Sequence, residues 1–136
     1  MLPHWPTGTV AILATVDGTP HAIPVSAVLR GGDRRLLLAL ATRRGSLARL
    51  RERPQVAVAL IAPDLAVTAE GTARVIAEAL TEGTVGVEID VHAVHDHDRP
   101  TFAIETGVQW RWTDNAAAAR DTEVRAALLR FATEPV

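Results

Sequence analysis

Apolar residues that alternate with a period of two recur through most of this chain, and they restrict it to a β-rich fold. Val10, Ile12, Ala14 and Val16 alternate up to Asp17-Gly18, and Ile23, Val25, Ala27 and Leu29 alternate beyond it. An Asp-Gly pair between two such runs is a strong hairpin signal, because glycine supplies the positive φ that tight turns require. Gly31-Gly32-Asp33 then turns the chain into Leu36 to Ala41, so three strands are expected to follow one another as an antiparallel meander. Val56, Val58 and Leu60 alternate again, and Ala62-Pro63-Asp64 forms a turn. Ala66 to Ile76 reads as a long strand in which Gly71 marks a bulge or a close backbone contact. Val85, Val87, Ile89, Val91 and Ala93 predict a further strand, and Val108, Trp110 and Trp112 share one face of a last one.

Helical signals are few. Ser46 is the expected N-cap of a two-turn helix through Leu47, Leu50 and Arg51, which Pro54 must end. Glu78 to Gly83 reads as a short helix or loop, and Asp114 or Asn115 can cap a helix from about Ala116 to Ala132 with Val124, Leu128 and Phe131 as its apolar stripe. Six or seven short strands with two helices predict a small, closed or nearly closed antiparallel barrel. No repeat or linker interrupts it, so residues 1–136 read as a single domain.

With 48% apolar residues and a net charge of −2, the chain can bury a real core and presents no broad cationic face, which argues against nucleic acid as a partner. No apolar run approaches the roughly twenty residues of a membrane helix, and Met1-Leu2-Pro3-His4-Trp5-Pro6 lacks a signal-peptide pattern. A cytoplasmic protein without a membrane partner is the expectation. The chain has no Cys, Lys or Tyr, which excludes thiol nucleophiles, disulfides, Schiff bases and a phenolic proton donor. Any catalysis must rest on His, carboxylates, hydroxyls, Arg or a cofactor.

The loop after the third predicted strand carries the strongest chemical signal. Thr42, Arg43 and Arg44 lead to Gly45-Ser46 at a predicted helix start, with Arg49 one turn on. Helix-start amides, hydroxyls and guanidinium forks together suit a phosphate group, whose removal from water requires several charge-assisted donors. Arg51 and Arg53 are expected on the solvent side of the helix.

Four motifs in order resemble the flavin-binding split-barrel proteins related to pyridoxamine 5'-phosphate oxidase. They are Ala14 to Val25 around Asp17-Gly18-Thr19-Pro20-His21, the Ala41-to-Ser46 loop, Leu50 to Val58 around Arg53-Pro54-Gln55, and Val67 to Ala73 around Glu70-Gly71-Thr72. The resemblance implies a six- to seven-stranded antiparallel split β-barrel of Greek-key type, mainly β, with a short helix after strand 3 and a C-terminal helix. It also implies a homodimer that binds FMN, or the deazaflavin coenzyme F420, between subunits and moves hydride to or from a small organic substrate. Carried over onto this chain, Pro24, Val25 and Ser26 would lie along the ring, and Thr42, Arg43, Arg44, Ser46 and Arg49 would hold the phosphate. Relatives commonly carry a Lys or an Arg-Lys pair just inside the short helix, where this chain has Ser46, Leu47 and Ala48. A second phosphate site for a vitamin B6 substrate would have to draw on Arg99 and Arg111, a weak set, so that oxidase activity is not expected.

Two other groups of residues give alternatives. His92, His95 and His97, among Asp90, Asp96 and Asp98, have the density of a divalent-metal site, but on a regular strand His92 and His95 point to opposite faces. The stretch is therefore read as a polar loop before Pro100, with a metal or haem ligand set as the alternative. His21 is read as a surface strand residue, with contact to a ligand or substrate as its alternative, and Trp110 and Trp112 as core or dimer anchors, with stacking on a ring system as theirs. A non-catalytic flavin or haem carrier or sensor is the competing functional class.

Overall fold

The period-two segments pair into one antiparallel sheet of seven strands in the order β2-β1-β5-β6-β7-β4-β3. The computed structural model describes residues 1–132. In chain order the elements are β1 (Ala11–Val16), β2 (Pro20–Val25), β3 (Val28–Gly32), β4 (Arg35–Ala41), α1 (Gly45–Glu52), β5 (Gln55–Ala62), β6 (Leu65–Thr81), β7 (Thr84–Asp96) and α2 (Asn115–Leu129). The two edge strands, β2 and β3, are joined only by Ser26 and Ala27. The three Cα–Cα steps from Val25 to Val28 span at most about 11 Å, so the sheet must curl until its edges meet there. The result is a split barrel.

The expected strand count stands, but its members differ. The run from Ile23 to Leu29 is two strands, because the adjacent Ala27 and Val28 are both buried and alternation fails where the chain crosses the split. The expected three-strand meander is thus two hairpins at opposite ends of the sheet. Conversely, residues 108–112 form no strand. The segment from His97 leaves the sheet and runs across the β5–β6 turn, where the Asp64 amide donates to the Ile104 carbonyl at 2.9 Å. Trp110 and Trp112 consequently lie on the surface rather than in a core. Of the expected helix or loop from Glu78 to Gly83, Glu78 to Thr81 extends β6 and only Glu82 and Gly83 turn the chain.

Leu13, Leu36, Leu38, Val58, Leu60, Val87 and Ile89 fill the barrel interior. On β1 the inward set is Ala11, Leu13 and Thr15, which leaves Ile12 facing outward and 41% exposed. A second, smaller core forms where α2 lies on the sheet's outer face and buries Leu128 against Ala27 and Leu37, with Val124 beside it. Asp114 caps α2, its Oδ1 accepting from the Ala116 amide at 2.9 Å. Phe131 lies past the helix end and is exposed, so it does not complete the expected stripe.

Glu88 is the most buried carboxylate among the described residues and sits between two guanidinium groups. Burial pushes its pKa up, but hydrogen bonds from Arg35 (Nη2 at 2.6 Å) and Arg74 (Nε at 3.3 Å) outweigh this and hold it below the ordinary carboxylate value. A depressed folded-state pKa gives stability that is present above the unfolded value and is lost as pH falls through the folded one. Glu88→Gln is therefore expected to cost about 2 kcal/mol at neutral pH and to flatten the acid limb of a Tm-against-pH curve. A parallel downward shift of the whole curve would contradict this linkage.

Candidate functional site

Where the barrel splits, Ser26 ends up beside the last turn of β4, and this places the β2–β3 connection next to the arginine loop. Pro24, Val25, Ser26, Ala39, Ala41 and Arg44 line one groove of about 140 Å³. Of the eight residues expected at a cofactor site, four therefore share a cleft. Val25 contributes backbone there, since its side chain is buried in the core, whereas Pro24 is exposed and Ser26 half-buried. The Ser26 carbonyl accepts from Arg125 Nη2 at 2.6 Å, and Asp121 Oδ2 holds the same guanidinium through Nε at 2.8 Å. Helix α2 is thereby latched to the split.

The other four residues surround the start of α1. Arg44 is the N-cap position with extended backbone, and no side chain caps the helix. Ser46 is not the cap. It lies inside the helix and is buried, at 2% exposure, because Gly45 already has helical geometry. Arg49 folds back over Gly45, where an added Cβ would stand 3.2 Å from Nη1, and its Nε donates to Thr15 Oγ1 at 3.2 Å. Thr42 and Arg43 are exposed, and the Thr42 amide donates to the Gly83 carbonyl at 3.0 Å. Between Thr42 and Pro54 five arginines accompany a single carboxylate, Glu52. An uncapped, positively charged helix start without an acidic residue in its first turn is suited to an anion. The residues present thus fit a phosphorylated group, with Arg44 and Arg49 as the nearest guanidinium donors.

Arg51 is turned away to a surface ion pair with Glu78 at 2.6 Å, and Arg53 is exposed, as expected. His21, half-buried on β2, stands with its Nε2 3.1 Å from Asp17 Oδ1. That hydrogen bond, assisted by the Thr19 amide, lowers the Asp17 pKa.

The three clustered histidines depart from expectation. β7 runs past the expected Ala93 to Asp96, so His95 is a strand residue like His92 rather than part of a polar loop. A bulge leaves His92 unpaired between Gly71↔Val91 and Glu70↔Ala93, and this reverses the strand's alternation. All three side chains consequently reach the outward residues of β6: His92 contacts Thr72 Oγ1 at 2.7 Å, His95 pairs with Glu70, and His97 contacts Thr68 Oγ1 at 2.9 Å. Among the described residues, no three His, Asp or Glu side chains stand close enough to hold a metal ion.

A family model described as pyridoxamine 5'-phosphate oxidase matches residues 5–112. The chain belongs to that family. No curated protein gives a significant match. Among solved structures, a putative pyridoxamine 5'-phosphate oxidase from Listeria innocua is similar, at 18% identity and TM-score 0.57 over 67% of this chain and 90% of that one. A protein described as an F420 reductase matches at 17% identity and TM-score 0.57 over 65% and 90%. HupZ from Group A Streptococcus matches at 17% identity and TM-score 0.58 over 74% and 90%. These likenesses establish the split-barrel fold. The family match ends at residue 112, so α2 with its Arg125 latch lies outside it. Among the described residues no helix is long and apolar enough to cross a membrane.

Sequence reasoning passed over Arg125, Asp121, Ala39 and Ala41. An Asp121–Arg125 pair at i,i+4 was visible as a helix-surface pair, but its bond to a carbonyl 99 residues away was not.

Proposed function

We propose that this protein is a homodimeric oxidoreductase that binds FMN by its phosphate and transfers hydride to or from a small organic substrate, with coenzyme F420 as the alternative cofactor. The observation that carries this reading is the convergence of Pro24, Ser26 and Arg44 on one groove beside the uncapped start of α1. In this reading, Arg44 and Arg49 neutralise the phosphate, and Thr42 and Arg43 add donors from the exposed loop. Ser46 contributes through its backbone amide, since its hydroxyl is buried. Pro24 and the backbone of Val25 and Ser26 supply a rigid wall for the ring. Proline cannot donate a hydrogen bond, so that wall is apolar at its first residue. The bound ring supplies the two-electron chemistry, and the protein orients it and keeps water away.

Support for a second copy of the chain comes from the outer face of β1 and β5. Ile12 pairs with Ala59, Ala14 with Ala57, and Ile61 extends the same face, 55% exposed. An apolar sheet face of this kind marks an interaction surface, and Pro24 lies opposite Ile12 in the register, so the groove opens at its margin.

Titration of the purified protein with FMN and, separately, with F420, followed by absorbance, tests the reading. One of the two is expected to bind with micromolar or better affinity, and sedimentation should give twice the chain mass. A monomer that binds neither would refute it. Enzyme and carrier separate on mixing the reduced holoprotein with acceptors: reoxidation faster than that of free reduced cofactor marks an enzyme.

A further inference from the structure

Beyond the cofactor groove lies a larger cavity of about 760 Å³ between α2 and the β6–β7 turn. Ser26, Ala27, Ala39 and Ala41 line both, so the two spaces share a wall. The volume suits a drug-sized organic molecule. On its far side stand Trp112, Ala117 and Val124. Trp110 meets Trp112 edge to face at 5.1 Å between ring centroids, and Trp110 is itself fixed by its Nε1 hydrogen bond to the Gly8 carbonyl at 2.8 Å. Trp112 is therefore a braced aromatic surface on a segment that has no strand to hold it.

The charges in this cavity have the opposite balance to those of the phosphate loop. Glu82, Asp121 and Glu123 line it against one guanidinium, Arg120, and Asp121 is paired with Arg125. Even after that pairing is discounted, two carboxylates remain for one cation, so an anionic ligand is disfavoured here. An aromatic wall with alanines opposite favours a flat, apolar body.

We infer that this cavity is the substrate site and that it takes planar, uncharged aromatic molecules, with Trp112 as the specificity-determining residue. The inference rests on the cofactor reading of the adjoining groove. Arg125 makes the arrangement coherent: it ties α2, which carries Ala117 and Val124, to the Ser26 carbonyl on the wall that the two spaces share.

The test uses two probes of the same shape, neutral 2-naphthamide and anionic 2-naphthoate, titrated calorimetrically into the full chain. A parallel FMN titration reports the cofactor groove independently. 2-Naphthamide is expected to bind at least about tenfold more tightly than 2-naphthoate, since the pocket stacks the ring but repels the carboxylate. Trp112→Ala should weaken 2-naphthamide about tenfold while leaving FMN affinity and Tm unchanged, and Trp112→Phe should restore most of the loss. The double variant Glu82→Gln, Glu123→Gln should narrow the gap between the two probes. Equal affinity for both probes, or an unaltered Trp112→Ala, overturns the inference. Failure of FMN and F420 to bind while the naphthamide results hold would instead overturn the cofactor reading and, with it, the cavity's role as a substrate site.

Discussion

Replacing Arg44 by alanine is expected to weaken FMN binding by about 1.5–3 kcal/mol, on the order of ten- to a hundredfold, the scale of one lost charge-assisted hydrogen bond to a phosphate. Arg43→Ala should cost far less. Both side chains are exposed, but only Arg44 lines the groove with Pro24 and Ser26. Arg44→Lys retains the charge and loses the planar fork, so it should fall between the two. Arg49→Ala is expected to resemble Arg44→Ala in affinity, with an added small loss of stability from its hydrogen bond to Thr15. A cofactor titration of the four variants, followed by absorbance at fixed salt, reads these differences directly. Salt must be fixed because exposed charges are screened within about 10 Å at 0.1 M. Unchanged affinity in Arg44→Ala would remove the phosphate assignment, whatever the fate of the fold.

Features set by neighbouring residues were legible in the sequence, and features set by closure of the barrel were not. Asp17-Gly18 and Pro63-Asp64 turn the chain where expected, the turn read at Gly31-Gly32-Asp33 falls later, at Asp33-Arg34, with both glycines in β3, α1 stops at Glu52 ahead of Pro54, and Asp114 caps α2. Each of these depends on a few consecutive residues. The break at Ser26-Ala27 depends instead on where the two sheet edges meet, and alternation from Ile23 to Leu29 carries no trace of it. β1 shows the same difficulty in another form. Both of its faces are apolar: the alternation reads through Val10, Ile12, Ala14 and Val16, whereas the fold turns Ala11, Leu13 and Thr15 inward and leaves Ile12 outward beside Ala59. The bulge at His92 reverses parity within a strand, which gathers three histidines that a regular strand would divide. At the site, the arginine loop was readable because its residues are contiguous. Arg125 reaches the groove only through the fold, by its bond to the Ser26 carbonyl.

Gly71→Ala is expected to be the most damaging single methyl group that can be added to this chain. A Cβ at Gly71 would stand 2.2 Å from the Asp90 carbonyl oxygen and 2.9 Å from Ile89 Cγ2. The first of these is backbone of β7, which cannot swing aside as a side chain can. Relief requires β6 and β7 to separate at the bulge, the point where Gly71 also pairs with Val56 of β5. Three central strands are then disturbed at once, so a loss of about 3 kcal/mol or more is expected, near the upper end for overpacking. For a domain of this size that lowers Tm by roughly 10 °C. Gly45→Ala is the control. Its Cβ meets only the Arg49 guanidinium, at 3.2 Å, and alanine is the better helix former, so Tm should stay within about 2 °C. Thermal melts of both variants by circular dichroism make the comparison. If Gly71→Ala melts with the wild type, the β6–β7 ladder slides to admit the methyl group, and the bulge that aligns His92, His95 and His97 is then not fixed by that glycine.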